Sequence, residues 1–299
     1  MLAANPPTVR LAKWMLRAAC RRKTVNLSGE ASRVRRRGTM VRMTVTVAVA
    51  NQKGGVAKTT TVASLGTALV ELGQRVLVVD LDPQASLTFS LGVDPEELDL
   101  SVREVILGEK DAGDVIVVTD EGAHLLPAAI GLAQAEEALL GRTGREHRLR
   151  KALELVVGDY DWILLDCPPS LGILTVGALT AADQVLIPVQ CETLAHRGVG
   201  QLLDTIYDVR EFTNPGLQLI GVLPTSYDGR TKHARAVLAA ITQAYDLAVI
   251  EPPIPRTIKF AEAPAIGRSI LGTSRSHRGA EAYRQVAAGL LRTTADRAS

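Results

Sequence analysis

Aromatic residues are scarce, at 3% of the 299 residues, so a buried core has to be built from Val, Leu, Ile and Ala. Such a core suits parallel strands covered by helices. Cysteine is scarcer still: Cys20, Cys167 and Cys191 stand far apart with no CxxC pair. That spacing argues against a disulfide framework and against a cysteine metal site, and it fits a reducing cytoplasm. Long apolar runs are also missing. Stretches such as 76–79 fall far short of the ~20 residues of a membrane-spanning helix, and charges interrupt any apolar core near the N-terminus that could act as a secretory signal.

Charge is nearly balanced in total, with a formal net of +2, but not in distribution. Residues 1–42 hold eleven Lys or Arg against the single acidic Glu30, which leaves 23 basic and 31 acidic residues for 43–299. A basic head therefore precedes an acidic body, and each has to be read separately. Within the head, Arg10, Lys13, Arg17 and Arg21 fall on one stripe of a helix over 9–23, opposite Val9, Ala12, Met15, Leu16 and Ala19. With RVRRRG at 33–38, this segment reads as a basic amphipathic helix able to lie on anionic lipid or DNA phosphates. It reads equally as a disordered tail or a start site assigned too far upstream, because Met43 opens the first strand pattern.

From Met43 onward, short β-branched runs at 44–50, 76–80, 161–166, 184–189, 218–223 and 247–250 alternate with helical patterns. The helices are expected at 58–72, 145–157, 171–181, 197–212, 231–244 and 277–291. Alternation of this kind predicts right-handed βαβ units and a doubly wound, mostly parallel sheet with helices on both faces, an α/β fold. Segment 92–140 reads as a less regular excursion with a small hairpin from runs at 115–118 and 123–126. The organisation expected is an extension over 1–42, one domain over 43–292 and a short polar tail over 293–299.

The chemistry is carried by NQKGGVAKTTT at 51–61, between the strand TVTVAVA and the helical pattern VASLGTALVELG. A strand, a glycine-rich turn and a helix N-terminus form an anion cradle, in which glycines let backbone N–H groups approach phosphate and the helix dipole favours its charge. Lys58 would reach the β- and γ-phosphates of ATP, and the Thr59 hydroxyl would ligate Mg²⁺. Gln52 and Ala57 stand where the general pattern GxxxxGK followed by Ser or Thr has glycine. KGGVAKTT instead resembles the deviant Walker A box of the ParA/MinD superfamily of P-loop NTPases, whose general form is KGGxGK followed by Ser or Thr.

That resemblance implies a nucleotide contact from Lys53, Gly54, Gly55, Val56, Ala57, Lys58, Thr59 and Thr60, with Lys53 reaching the partner's ATP across a nucleotide-sandwich homodimer. Ala57 departs from the superfamily too, and strains the turn if that position needs a positive φ. RVLVVDLDPQ at 75–84 resembles the second motif, with Asp80 near Mg²⁺ and Asp82 positioning the attacking water, a role that suits a carboxylate in phosphoryl transfer. YDWILLDCPPS at 160–170 resembles Walker B, with Asp166 holding Mg²⁺ through water.

The strings IPVQCETLAHRGV at 187–199, LPTSYDGRTKHA at 223–234 and IPRTIKFAEAPAIGRSI at 254–270 resemble the ParA/Soj-type partitioning branch. It implies an ATPase whose ATP dimer binds double-stranded DNA without sequence choice through Arg230 and Lys259. It also implies a ParB-like activator, a nucleoid-associated location in the cytoplasm, and Pro224 and Pro255 near the adenine. Lysine at 259 replaces the commoner arginine, which keeps phosphate attraction and loses bidentate geometry. The alternative is a MinD-like positioning ATPase that uses the N-terminal basic helix on a membrane. Iron–sulfur work lacks the paired cysteines.

Overall fold

The computed structural model describes residues 44–192 and 195–298, with side chains through 294. The basic helix expected over 9–23 and the RVRRRG string lie outside the described residues. The first half runs β1 (Val45–Val49), α1 (Lys58–Glu71), β2 (Val76–Asp80), α2 (Ser86–Ser90), α3 (Val102–Leu107), α4 (Ala112–Val115), β3 (Val117–Val118), β4 (His124–Leu126), α5 (Leu132–Leu139) and α6 (Arg148–Leu153). The second half runs β5 (Trp162–Asp166), α7 (Ile173–Ala181), β6 (Gln184–Gln190), α8 (Ala195–Phe212), β7 (Gln218–Thr225), α9 (Lys232–Tyr245), α10 (Lys259–Glu262), α11 (Ile270–Thr273) and α12 (Arg278–Ala298).

The strands form one sheet in the order β3-β4-β2-β5-β1-β6-β7, parallel except where β3 runs against β4. Alternate residues of each strand enter opposite core layers, as the two-residue period of a strand requires. Val47, Val49, Val76, Val78, Trp162 and Leu164 pack under α1 and α12, whereas Ala48, Leu77, Val79, Ile163 and Leu165 pack under α3, α5, α6, α7 and α8. Covering both faces is what lets these strands be apolar throughout. The chain leaves β1 toward β2 and later returns to the other side of β1 with β6. The crevice beyond the carboxyl ends of the central strands is where doubly wound sheets bind ligands.

Four stretches differ from the sequence expectation. Residues 247–250 form no strand; they add only the parallel bridge Val222↔Val249, with Val222 N–H donating to Ala248 O and Ile250 N–H to Val222 O. Pro252, Pro253 and Pro255 follow at once and remove the donors a longer ladder would need. The hairpin in 92–140 exists as β3 and β4, but β4 also pairs in parallel with β2, so the excursion extends the main sheet and carries three short helices besides. The helix expected over 145–157 is confined to α6, flanked by 3-10 turns at Arg145–His147 and Val157–Asp159. The polar end expected as a tail is helical through Ala298.

Candidate active site

Residues 50–57 link β1 to α1 and are anchored from both sides. Buried Asn51 donates from Nδ2 to the Pro188 carbonyl of β6 at 2.8 Å and accepts Lys53 N–H at 3.0 Å, while Thr225 of β7 donates its hydroxyl to the Val56 carbonyl at 3.0 Å. Gly54 and Gly55 are exposed, and a Cβ built on either meets no atom within 4 Å. The loop backbone therefore borders open space at the N-terminus of α1, as an anion cradle requires. Ala57 holds φ +68°, ψ 34° as the N-cap of α1. This is the left-handed conformation that costs an L-residue about 1–2 kcal/mol, so the strain expected from alanine at this position is present.

Lys58 is buried, and its ammonium donates to the Lys53 carbonyl at 3.3 Å. Burial pushes its pKa down, and the charges of Asp166 and Asp82 oppose that shift. The Lys53 ammonium is paired with Glu192, which follows β6.

Asp80 and Asp166 end neighbouring strands and are register partners. Their environments differ sharply. Asp80 Oδ2 accepts the Thr88 N–H at 2.8 Å and the Thr88 hydroxyl at 2.7 Å, and Oδ1 accepts the Asp82 N–H at 3.1 Å. Both oxygens of Asp166 are buried with no hydrogen bond of ordinary geometry among the described residues. Burial raises both carboxyls: Asp80 to about 6 against the pull of its three donors, and Asp166 well above the usual range, with Asp80 adding to the shift and Thr59 and Lys58 opposing it. A buried, bare carboxylate is costly unless a cation answers it. Among the described residues no cluster of three His, Cys, Asp or Glu could hold a metal alone. One or two carboxylates beside a phosphate cradle is the donor set that Mg²⁺ takes when it arrives with a nucleotide.

A cavity of about 480 Å³ opens over the loop, lined by Gly54, Gly55, Ala57, Lys58, Thr59 and Thr60 and by Asp82. Its wall also includes Thr225, Ser226, Ile254 and Thr257. Pro224 and Pro255 are not part of that wall: Pro224 is a buried strand residue whose carbonyl accepts Ile254 N–H, and Pro255 bridges to Tyr227. Val56 is likewise buried behind the loop.

Arg230 lies on the loop after β7 and Lys259 at the start of α10, and the segments leading to them are joined where Tyr227 N–H donates to Ile254 O at 2.9 Å. Each is paired with a carboxylate a few residues away. Arg230, 91% exposed, donates from Nε and Nη2 to the two carboxylate oxygens of Asp228 at 2.9 and 3.0 Å and holds that carboxyl down at about 2. Lys259 pairs with Glu262 at 2.8 Å. Arg256 and Arg278 are exposed on the same side, Arg278 donating to the Arg256 carbonyl at 3.5 Å.

A protein-family profile described as an AAA domain matches residues 44–219. The sporulation initiation inhibitor protein Soj of Bacillus subtilis is 43% identical over 242 residues, 81% of this chain and 96% of that protein. The chromosome partitioning protein ParA of Caulobacter vibrioides is 40% identical over 254 residues, covering 84% and 95%. The chain belongs to the ParA/Soj family.

Solved structures agree with the family in fold. A Mycobacterium smegmatis protein described as cobyrinic acid a,c-diamide synthase, with ADP and magnesium bound, is 56% identical with a TM-score of 0.76, covering 84% of this chain and 95% of that one. The septum site-determining protein MinD of Pyrococcus horikoshii, complexed with Mg-ADP, is 26% identical with a TM-score of 0.68, covering 83% and 96%. In this ParA/Soj protein the left-handed backbone at Ala57 carries a local conformational cost.

Three contacts at the site escape sequence reading: Asn51 as the anchor of the loop, Glu192 as the partner of Lys53, and Thr88 as the clamp on Asp80. Asn51 precedes the KGG string directly, so attention to the loop's first polar residue could have found it. Glu192 lies 139 residues from Lys53 and Thr88 eight from Asp80, and nothing in either local pattern signals the contact.

Proposed function

We propose that this chain is an ATP-driven partitioning switch, built as one ATPase domain over 43–292 behind a basic head. It binds ATP with Mg²⁺, pairs with a second copy when ATP is bound, and in that form grips double-stranded DNA without sequence choice. A ParB-like protein stimulates hydrolysis and release, and DNA binding places the chain on the nucleoid. The observation that carries the nucleotide reading is Asp166, a carboxylate buried on both oxygens with no hydrogen bond of ordinary geometry among the described residues, beside an open glycine cradle and a buried lysine.

Each residue has a part in this reading. Backbone amides of 54–60 and Lys58 cradle the phosphates, while Thr59, Asp80 and Asp166 would hold Mg²⁺, directly or through water. Bound there, Mg²⁺ supplies charge neutralisation at the β- and γ-phosphoryl oxygens. Asp82, at the cavity wall, orients the attacking water. Lys53 must leave Glu192 to reach a partner's nucleotide, so the Lys53–Glu192 pair is one contact that dimerisation has to break. Thr225, Ser226, Ile254 and Thr257 flank the base, with Pro224 and Pro255 setting the backbone behind them. Arg230 and Lys259 contact DNA phosphate, and Arg256 and Arg278 extend the same surface.

Amide synthesis, the activity in the description of the Mycobacterium smegmatis structure, is less well supported here. A synthase that draws nitrogen from glutamine needs a reactive thiolate. Among the described residues, Cys167 is fully buried and burial pushes its thiol far up, and burial raises the Cys191 thiol to about 11; Cys20 lies outside the described residues. The membrane alternative rests on residues 9–23, outside the described residues, and no helix among those described is long and apolar enough to cross a bilayer.

Asp82→Ala tests the assignment: it should leave ATP binding and ATP-dependent dimerisation in place while turnover falls at least tenfold. Normal turnover in that variant would remove Asp82 from the reaction.

A further inference from the structure

We propose that Thr88 is a positioning residue of this site: it holds the Asp80 carboxylate in the orientation from which Asp80 serves the Mg²⁺ shell. The inference rests on the Mg·ATP reading above and adds a residue to it. Thr88 lies in α2, fully buried, eight residues beyond Asp80. Its hydroxyl oxygen accepts the Ala128 N–H at 2.9 Å and lies 2.7 Å from Asp80 Oδ2. A backbone N–H can only donate, and a hydroxyl has one proton. The Thr88 proton must therefore point at Asp80, and Thr88 N–H points at the same oxygen from 2.8 Å.

The result is a carboxylate gripped asymmetrically. Oδ2 receives two donors from one residue, while Oδ1 receives only the Asp82 N–H at 3.1 Å, which leaves acceptor capacity on Oδ1. The same contacts close the segment 80–88 into a loop tied at both ends to Asp80, with Asp82 inside it. Asp82 is held within that loop by Ala85 N–H donating to its carbonyl at 2.8 Å and Gln84 N–H donating to its Oδ1 at 3.0 Å. Ala128 follows β4, so the hydroxyl also fastens this loop to the sheet. Partners of this kind orient a metal's ligands, and their loss typically weakens metal affinity by about 10–100-fold. Asp166, its register neighbour, has no hydrogen bond of ordinary geometry among the described residues, so the Thr88 grip is one source of the difference between the two carboxylates.

The test is a Mg²⁺ titration of fluorescent N-methylanthraniloyl-ATP binding to the full chain, with thermal unfolding followed beside it. Thr88→Val, which removes the hydroxyl at constant shape, should raise the Mg²⁺ midpoint about tenfold, and Thr88→Ser should return it to within about twofold of wild type. Thr88→Ala, roomy enough for a water to answer Ala128, replaces the valine variant if that one does not fold. In an Asp80→Ala background the Thr88 substitution should move the midpoint no further. A wild-type midpoint in Thr88→Val with a lowered melting temperature would make Thr88 merely structural and overturn the inference. An undiminished shift in the Asp80→Ala background would also overturn it, because Thr88 would then act elsewhere. Wild-type binding that ignores Mg²⁺ would instead sink the Mg·ATP reading, and this inference with it.

Discussion

The nucleotide site and the cationic face solve opposite electrostatic problems. At the nucleotide site the charges are buried and incompletely answered: Asp166 has no hydrogen bond of ordinary geometry among the described residues, Asp80 is held by uncharged donors, and Lys58 is desolvated. At the cationic face the charges are exposed and already answered, Arg230 by Asp228 and Lys259 by Glu262. The first arrangement stores an unfavourable field that a cation with a polyphosphate relieves. The second is close to neutral locally and gains little from isolated ion pairs in water. A ligand at the first site can therefore change the protein's energetics strongly, whereas the second, on the proposed DNA reading, would bind well only when many weak phosphate contacts are presented together.

The largest break in this comparison is Lys58→Ala, which should weaken Mg·ATP binding at least a hundredfold, measured by titration of a fluorescent ATP analogue. Retained wild-type affinity would remove the phosphate-cradle assignment. Next is Arg230→Ala, which should weaken binding of the ATP-bound protein to a random-sequence duplex several-fold and lower the slope of log affinity against log salt by about one. An unchanged slope would take Arg230 off the DNA.

Acidity offers a third test. Asp80 and Asp166 have folded-state pKa values above their unfolded ones, so the native state binds more protons than the unfolded chain in the window from about 4 to about 6. Stability from this pair is therefore lost as pH rises through that window. Between about pH 5 and about pH 7, metal-free wild-type protein should lose a few degrees more of melting temperature than Asp80→Asn does, and saturating Mg·ATP should cancel the difference by favouring the charged carboxylates. Calorimetry at the two pH values, with and without Mg·ATP, reads it.

Two smaller effects sharpen the contrast. Asp228→Asn frees the Arg230 guanidinium and should strengthen DNA binding about two- to threefold, because only an exposed pair is being removed. Ala57→Gly relieves the left-handed backbone at the cradle. Its gain is set against the extra freedom glycine has when unfolded, leaving about 0.5–1 kcal/mol of stability, seen as an upward shift of the thermal midpoint.

How much of this was legible in the sequence follows from the range of the forces involved. The buried strands announce themselves because both faces need apolar residues, so 76–80 and 184–189 stand out without any partner in view. The cradle is legible for the same local reason: strand, glycines and helix start lie within twenty residues. Residues 247–250 share the strand composition, yet the prolines after them stop the ladder at one bridge. Arg230 and Lys259 were readable as residue types, but not their pairing: Arg230 with Asp228 depends on loop conformation, and Lys259 with Glu262 on the short helix α10, which the sequence pattern did not mark. Thr88 was invisible because its meaning lies in Asp80 and in Ala128, forty residues on.

The most direct test of the central claim, that relief of the buried charges governs an otherwise self-neutralised cationic face, is binding of the full chain to a random-sequence duplex with Mg·ATP and with Mg·ADP. A chain beginning at Met43 is measured beside it to separate the basic head's contribution. The expected result is tight, salt-sensitive binding of the shorter chain with ATP only, abolished by Lys58→Ala and weakened by Arg230→Ala. Equal binding of both chains in ATP and ADP would contradict it, leaving the nucleotide site and the cationic face uncoupled.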